Sequence, residues 1–276
     1  MGSWRLSSKM DAPFARLVGM VEEVWRQELM DDGLGKHRGE AETKFEFFDS
    51  ADPEGRPSAF EERASPSKGA PGYPRFVVEN RFYQSASFRK LHIEAAWRQD
   101  GLQVAHIVHY PALSKDVPIL CLDMVAFNGT ITLAIIDAAP VTMSRSLPDL
   151  YRQMMGSLQA RHKIDMQRAL PEWGREIFSD LCVAGRPADD AQIAGFLRYT
   201  VDLAKFHCLA AKRAPHLAAT DPRIEDAMRA QERYSRMQLT NEKTRRILEV
   251  AMGEEAADAY MREVMFDHEF AARARE

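Results

Sequence analysis

Between residues 75 and 137 the chain alternates short apolar runs with turn signals. This pattern predicts five β-strands, at 75–83, 88–98, 102–110, 118–127 and 129–137. Two-residue links such as Asp100-Gly101 and Asn128-Gly129 are typical of β-hairpins. Because each hairpin places a strand beside the one before it, the sequence predicts an antiparallel meander.

Helical periodicity flanks this strand region on both sides. Apolar positions three and four residues apart predict a first helix at 13–29, and a short strand is expected at 44–48. After Pro140 the residues are strong helix formers, and they predict helices at 147–166, 171–181, 188–213, 222–238 and 240–266. The order of elements predicts an α+β fold, a three-layer α/β/α sandwich with a central antiparallel sheet flanked by helices.

The segment 31–74 breaks this regularity because it is polar and rich in Gly and Pro. We expect a long flexible loop region there. The 276 residues are still within the range of one folding unit, so a single domain over 1–276 is predicted.

Composition narrows the class of protein. A net charge of −4 argues against general nucleic-acid binding, and no apolar run is long enough to cross a membrane. The three cysteines are widely spaced and form no CxxC pair, which argues against a zinc site or a disulfide framework. A cytoplasmic protein is expected.

Ionisable residues occupy positions in three of the predicted strands where apolar residues would be usual. His92 and Glu94 lie two apart and therefore share a face, and His106 and Asp123 lie on the following strands. Because burying such groups is costly, they predict a polar pocket suited to proton transfer. A solvated pair at His92 and Glu94, and a hydrogen-bonded core histidine at His106, remain alternatives.

Common cofactor motifs are missing from the chain. The His-x-Glu at 92–94 is not followed by a PCxxC, so a zinc deaminase is rejected. There is no GxGxxG, GxxxxGK[ST] or GxSxG. The basic segment 241–246 is either a carboxylate or phosphate clamp or a solvated helix face.

Several blocks of the sequence resemble one family, the ferredoxin-dependent bilin reductases. The similar blocks are VENRFYQ at 78–84, FRKLHIE at 88–94, CLDMVA at 121–126, LPEWG at 170–174, EIFS at 176–179, NEKTRRILE at 241–249, and the stretch from Tyr260 to Asp267. They occur in one order over about residues 75–268. Within the family, the pattern is most similar to the enzymes that form phycocyanobilin. The segment 30–74 is longer than the family's usual N-terminal connection.

The resemblance implies catalytic roles for four residues. Asp123 aligns with the family's proton-donating aspartate and His106 with its histidine partner. Glu94 aligns with the glutamate that serves reduction of the D-ring vinyl group, and His92 with a second histidine of the same network.

The resemblance also implies substrate contacts. Arg168 and Lys243 align with residues that pair with the bilin propionates, and Asn241 with a pocket residue near Asp123. Thr132 stands where a serine is expected near a propionate.

The implied activity is reduction of biliverdin IXα to phycocyanobilin through bilin radicals. Electrons would come from ferredoxin or flavodoxin, with no bound metal or flavin, and a heme oxygenase would supply the substrate. We expect a monomer that binds neither membrane nor nucleic acid. Arg89, Lys90, Arg245 and Arg246 are candidates for docking the acidic donor.

Three alternatives stay open at this point. The first is a two-electron reductase that stops at a dihydrobiliverdin reduced at the D-ring vinyl group. The second is a bilin carrier without activity. The third is an unrelated acid/base hydrolase that uses Asp123 and His106.

Overall fold

The central layer of the fold is a β-sheet whose side chains alternate between its two faces. A computed structural model describes residues 3–37, 39–51 and 74–267, and within them an eight-stranded sheet forms in which neighbouring strands are antiparallel. The strands are β1 Gly35–Lys36, β2 Phe47–Asp49, β3 Phe76–Gln84, β4 Phe88–Arg98, β5 Leu102–Pro111, β6 Ile119–Phe127, β7 Thr130–Ala139 and β8 Val183–Gly185. Their order is β1-β3-β4-β5-β6-β7-β8, and β2 also pairs with β3. The predicted meander is confirmed by β3 to β7.

The tight turn between β6 and β7 depends on two residues with positive φ. Asn128 has φ +48° and Gly129 has φ +74°. Both values lie in the left-handed region that Gly and Asn tolerate best, which is why this pair makes a hairpin.

Helices cover the sheet on both faces. They are α1 Ala12–Leu29, α2 Glu40–Lys44, α3 Asp149–Arg161, α4 Glu172–Arg175, α5 Asp190–Arg213, α6 Pro222–Gln238, α7 Glu242–Met252 and α8 Glu254–Ala259, followed by a π-helix at Tyr260–Met265. One apolar cluster joins α1, α3 and α5 to one face, through residues such as Ile93, Ile107 and Leu122. Two further clusters join α6, α7, α8 and the π-helix to the opposite face, which carries Val78 and Cys121. The predicted α/β/α sandwich is therefore confirmed.

Two predicted helices need correction. The segment 240–266 is interrupted at Gly253, whose φ of +87° lies outside the helical region, so α7, α8 and the π-helix replace a single helix. The segment 171–181 contains only the short α4, because Ser179 donates its N–H and its hydroxyl to the buried Asp137 instead of continuing the helix.

The segment 31–74 differs from the loop that we expected, as far as it is described. Residues 31–37 and 39–51 contain the strands β1 and β2, which both pair with β3, and the short helix α2. The predicted strand at 44–48 corresponds to β2. The rest of the predicted loop, residue 38 and residues 52–73, lies outside the described residues.

Candidate active site

The register of the sheet brings three of the four predicted catalytic residues into one row. Glu94 on β4 lies directly opposite His106 on β5, and His106 lies directly opposite Asp123 on β6. Asn80 on β3 extends the row on the other side of Glu94. Residues that face each other across an antiparallel ladder point to the same side of the sheet, so the row faces the C-terminal helices.

His106 and Asp123 form the most direct contact in this row. Nδ1 of His106 lies 2.7 Å from Oδ1 of Asp123. His106 is 1% exposed, whereas the side chain of Asp123 is 32% exposed, so Asp123 is less buried than its apolar neighbours led us to expect. Burial opposes a charge on His106, but Asp123 outweighs it and raises the pKa of His106 above its usual value. The contact therefore favours the imidazolium form of His106.

A second set of hydrogen bonds links His92 to Glu94 through residues of distant segments. Nε2 of His92 lies 2.8 Å from Oδ1 of Asn80. The hydroxyl of Tyr260, in the π-helix, lies 3.1 Å from the same oxygen and 2.6 Å from Oε2 of Glu94. The Asn80 amide also donates to the carbonyl of Phe45 over 2.7 Å. The amide is thus oriented with its oxygen towards His92, which makes Nε2 the protonated nitrogen of that ring.

Burial shifts the pKa values of Glu94 and His92 in opposite directions. It raises the pKa of Glu94, which is 3% exposed and favours the protonated form more than a free glutamate does. It lowers the pKa of His92 well below its usual value, with further contributions from His106 and Lys90. A neutral His92, a readily protonated His106 and a carboxyl with a raised pKa are the components of proton transfer near neutral pH.

The four residues expected to bind substrate lie at the start of α7, beside β8 and on β7, outside the strands that form the row. Asn241 caps α7 by accepting from the N–H of Thr244, and Lys243 is exposed in the first turn of that helix. Arg168 is exposed beside β8, where its N–H donates to the carbonyl of Ala184. Thr132 is exposed at a β-bulge of β7. Within the described residues, no hydrogen bond or ion pair connects these four to the row.

The structure contradicts two of the four predicted docking residues. Lys90 is 1% exposed and donates to Glu42 over 2.9 Å and to the carbonyl of Glu263 over 3.1 Å. Arg89 is paired with Asp267 and lies over the ring of Tyr110. Both side chains therefore hold the C-terminal segment in place and are not free to dock a partner. Arg245 pairs with Asp258 over 3.1 Å, and Arg246 is exposed.

Sequence reasoning missed Asn80 and Tyr260. Asn80 carried a usable signal, because it is a polar residue at a strand position whose neighbours two residues away, Val78 and Phe82, are apolar. Tyr260 carried none, since nothing local to a tyrosine in a helical segment indicates contact with a glutamate 166 residues away.

Two features are absent from the described residues, a cluster of metal ligands and a membrane-spanning helix. No cluster of three or more His, Cys, Asp or Glu with the geometry of a metal site occurs among them. None of their helices is long and apolar enough to span a membrane.

Comparisons with known proteins identify the family of this chain. A profile of the family described as ferredoxin-dependent bilin reductase matches residues 46–267. The phycocyanobilin:ferredoxin oxidoreductase of Synechococcus elongatus is 39% identical over 196 residues, which are 70% of this chain and 77% of the relative. The protein of that name from Trichodesmium erythraeum is 35% identical over 193 residues, again 70% of this chain and 77% of the relative.

A solved structure confirms the fold. Phytochromobilin synthase from tomato, in complex with biliverdin, superposes with a TM-score of 0.71 and 13% identity, covering 91% of this chain and 83% of that one. Together the profile and the curated relatives define one class, oxidoreductases that reduce bilins with electrons from ferredoxin. The chain belongs to the ferredoxin-dependent bilin reductase family.

Proposed function

We propose that the protein reduces biliverdin IXα to phycocyanobilin with four electrons from ferredoxin, delivered one at a time. Each of the two vinyl-group reductions takes up two electrons and two protons. Ferredoxin supplies the electrons and the row of side chains supplies the protons, while the conjugated bilin carries the unpaired electron between transfers. The protein therefore binds no metal or flavin of its own.

The observation that carries this proposal is the presence of two distinct carboxyl groups in one row. Asp123 is partly exposed and held by His106, whereas Glu94 is buried and held by Tyr260. Two carboxyl groups in different environments are suited to protonating two different positions of one substrate. The curated relatives named phycocyanobilin:ferredoxin oxidoreductase support the same reaction.

Each residue of the site has a role in this scheme. Asp123 stabilises the protonated bilin as a carboxylate. His106 then reprotonates Asp123 across their 2.7 Å contact, and the protonated Asp123 donates the proton that quenches the radical. Glu94 protonates the exocyclic vinyl carbon of the D ring, and Tyr260 positions Glu94. His92 orders the network through Asn80.

The propionate groups of the substrate require cations at the rim of the site. We assign Arg168 and Lys243 to these carboxylates, with Thr132 donating a hydroxyl and Asn241 bordering the pocket near Asp123. Charge-assisted hydrogen bonds from arginine and lysine suit carboxylates well. The protein acts as a single-domain monomer in the cytoplasm, and its substrate comes from a heme oxygenase.

An anaerobic assay with biliverdin, ferredoxin and a ferredoxin-reducing system tests the proposal. We expect absorbance changes that end in a product with the chromatographic retention of phycocyanobilin. A dihydrobiliverdin end product would show a two-electron enzyme instead. Binding of biliverdin without reduction would support a carrier, and failure to bind it would reject the substrate.

A further inference from the structure

Arginine side chains from four separate segments converge on one surface of the molecule. They are Arg145 in the loop after β7, Arg152 on α3, Arg175 on α4, and Arg233 and Arg236 on α6, and we refer to these five as the arginine cluster. Nη1 of Arg145 donates to the carbonyl of Arg175 over 3.1 Å, which ties the loop to α4. Arg145, Arg152 and Arg175 also line one cleft of about 750 Å³.

Two of the five members of the cluster pair with carboxylates of the described residues. Arg145 pairs with Glu176 over 3.3 Å and Arg152 with Asp180 over 2.8 Å, and Asp149 adds a more distant carboxylate beside Arg152. Within the described residues, the other three guanidinium groups of the cluster have no carboxylate within ion-pair distance. Arg168, assigned above to the substrate, lines the same cleft.

Arg233 is the least favourably placed member. It is half-buried, and its Nε has no hydrogen-bond partner within the described part of the chain. Burial lowers the pKa of its guanidinium, and the like charges of Arg145 and Arg236 lower it further, against an opposing contribution from Glu176. Crowding like charges opposes folding unless an anion relieves it, so the cluster is complementary to an acidic surface.

The cluster also lies close to the candidate active site. The opposite side of α6 packs Tyr234 against the apolar cluster that contains Cys121, two residues from Asp123 on β6. A protein seated on the cluster would therefore lie on the same side of the sheet as the row of acids. That is the location an electron donor requires, because electron transfer through protein falls steeply with distance.

We propose that the arginine cluster is the surface on which the acidic electron-donor protein docks. This inference rests on the proposed function, since it takes the partner to be ferredoxin. It replaces Arg89 and Lys90, which are paired with Asp267 and Glu42. Complementary charge at an interface mainly accelerates association, so the effect should be strongest at low ionic strength.

The test compares two double charge reversals in the full-length protein with biliverdin bound. Arg175→Glu with Arg236→Glu alters two exposed members of the cluster. Arg16→Glu with Arg198→Glu changes the net charge equally on exposed sites of α1 and α5, which cover the opposite face of the sheet. Ferredoxin affinity is measured by calorimetry at several salt concentrations, and biliverdin affinity by absorbance titration.

We expect the cluster variant to bind ferredoxin on the order of tenfold more weakly at low salt, with a shallower salt dependence. Its biliverdin affinity should match the wild type, and the control variant should resemble the wild type in both. Equal ferredoxin affinity for both variants would overturn the proposal. So would a loss confined to biliverdin affinity, which would make the cluster part of the substrate site. If the wild-type protein neither binds ferredoxin nor reduces biliverdin, the proposed function itself fails.

Discussion

The hydroxyl of Tyr260 donates to Oε2 of Glu94 over 2.6 Å, although 166 residues separate the two along the chain. This bond ties the π-helix to the centre of the sheet. π-Helical turns are rare and occur frequently at functional sites. The chemistry assigned to Glu94 therefore depends on how the C-terminal segment closes over β4.

Removing this hydroxyl should alter the chemistry more than the fold. In Tyr260→Phe, Glu94 loses a donor that favours its ionised form, so the pKa of Glu94 should rise further. The alkaline limb of the pH–rate profile should move to higher pH, and D-ring reduction should slow roughly tenfold. Tyr83→Phe is the matched control, because its hydroxyl bonds Glu22 over 2.6 Å on the opposite face of the sheet. A profile that moves equally in both variants would argue against a positioning role.

Asp123 should be required for completing the first reduction. Asn at this position keeps the shape but can neither carry a negative charge nor donate the proton, so Asp123→Asn should slow turnover by roughly 100-fold or more. Anaerobic single-turnover spectroscopy should find bound biliverdin or a bilin radical that persists. Full turnover by this variant would reject the assignment.

Glu94→Gln should separate the two reductions. Gln cannot donate a proton to the vinyl carbon, whereas Asp123 and His106 remain in contact. The expected product is a bilin reduced at one ring only, identified by chromatography and mass. A normal yield of phycocyanobilin would remove Glu94 from the mechanism.

The buried pair of Lys90 and Glu42 should matter for stability. Glu42→Gln leaves the Lys90 ammonium buried without a counter-charge, which costs about 3–5 kcal/mol in comparable cases. Replacing both residues, as in Glu42→Leu with Lys90→Met, should recover most of that loss, because an apolar pair needs no charge compensation. Urea denaturation measures both free energies of unfolding. Equal losses in the single and double variants would contradict this account.

The buried carboxyl group of Asp137 should give the stability of the protein an unusual pH dependence. Burial raises its pKa from 3.8 to about 7. Because the folded state then binds the proton more tightly than the unfolded state, protonated Asp137 stabilises the fold. This stabilisation is complete at pH values below the pKa of Asp137 in the unfolded state, and it is lost as pH rises through the pKa of Asp137 in the folded state. The loss should reach a few kcal/mol, since one pKa unit corresponds to about 1.4 kcal/mol. Unfolding free energies of Asp137→Asn should decline less than those of the wild type between pH 4 and about 7.

The sequence was most informative where the spacing of residues alone determines the geometry. Period-two alternation put His92 and Glu94 on one face, and the hairpin links aligned Glu94, His106 and Asp123 across three strands. The same rule also places Lys90 on that buried face, two residues before His92. We expected Lys90 on the surface because of its charge, and its partner Glu42 lies in a segment that we had predicted as loop.

Contacts between distant segments could not be predicted from the sequence, for a different reason. The bonds from Tyr260 to Glu94 and from Asn80 to Phe45 join elements through three-dimensional packing. No local periodicity encodes such contacts. The break at Gly253 is an intermediate case, since the glycine was visible but its positive φ was not.

The row formed by Glu94, His106 and Asp123 restricts how this protein can change in length. Each member faces its neighbour only because β4, β5 and β6 pair in one register. Inserting or deleting one residue within any of these strands would turn its acid or histidine to the opposite face of the sheet. Length variation among natural homologues, and insertions made by engineers, should therefore accumulate at the hairpin turns around Gly101 and Gly129 and stay out of the strands between them.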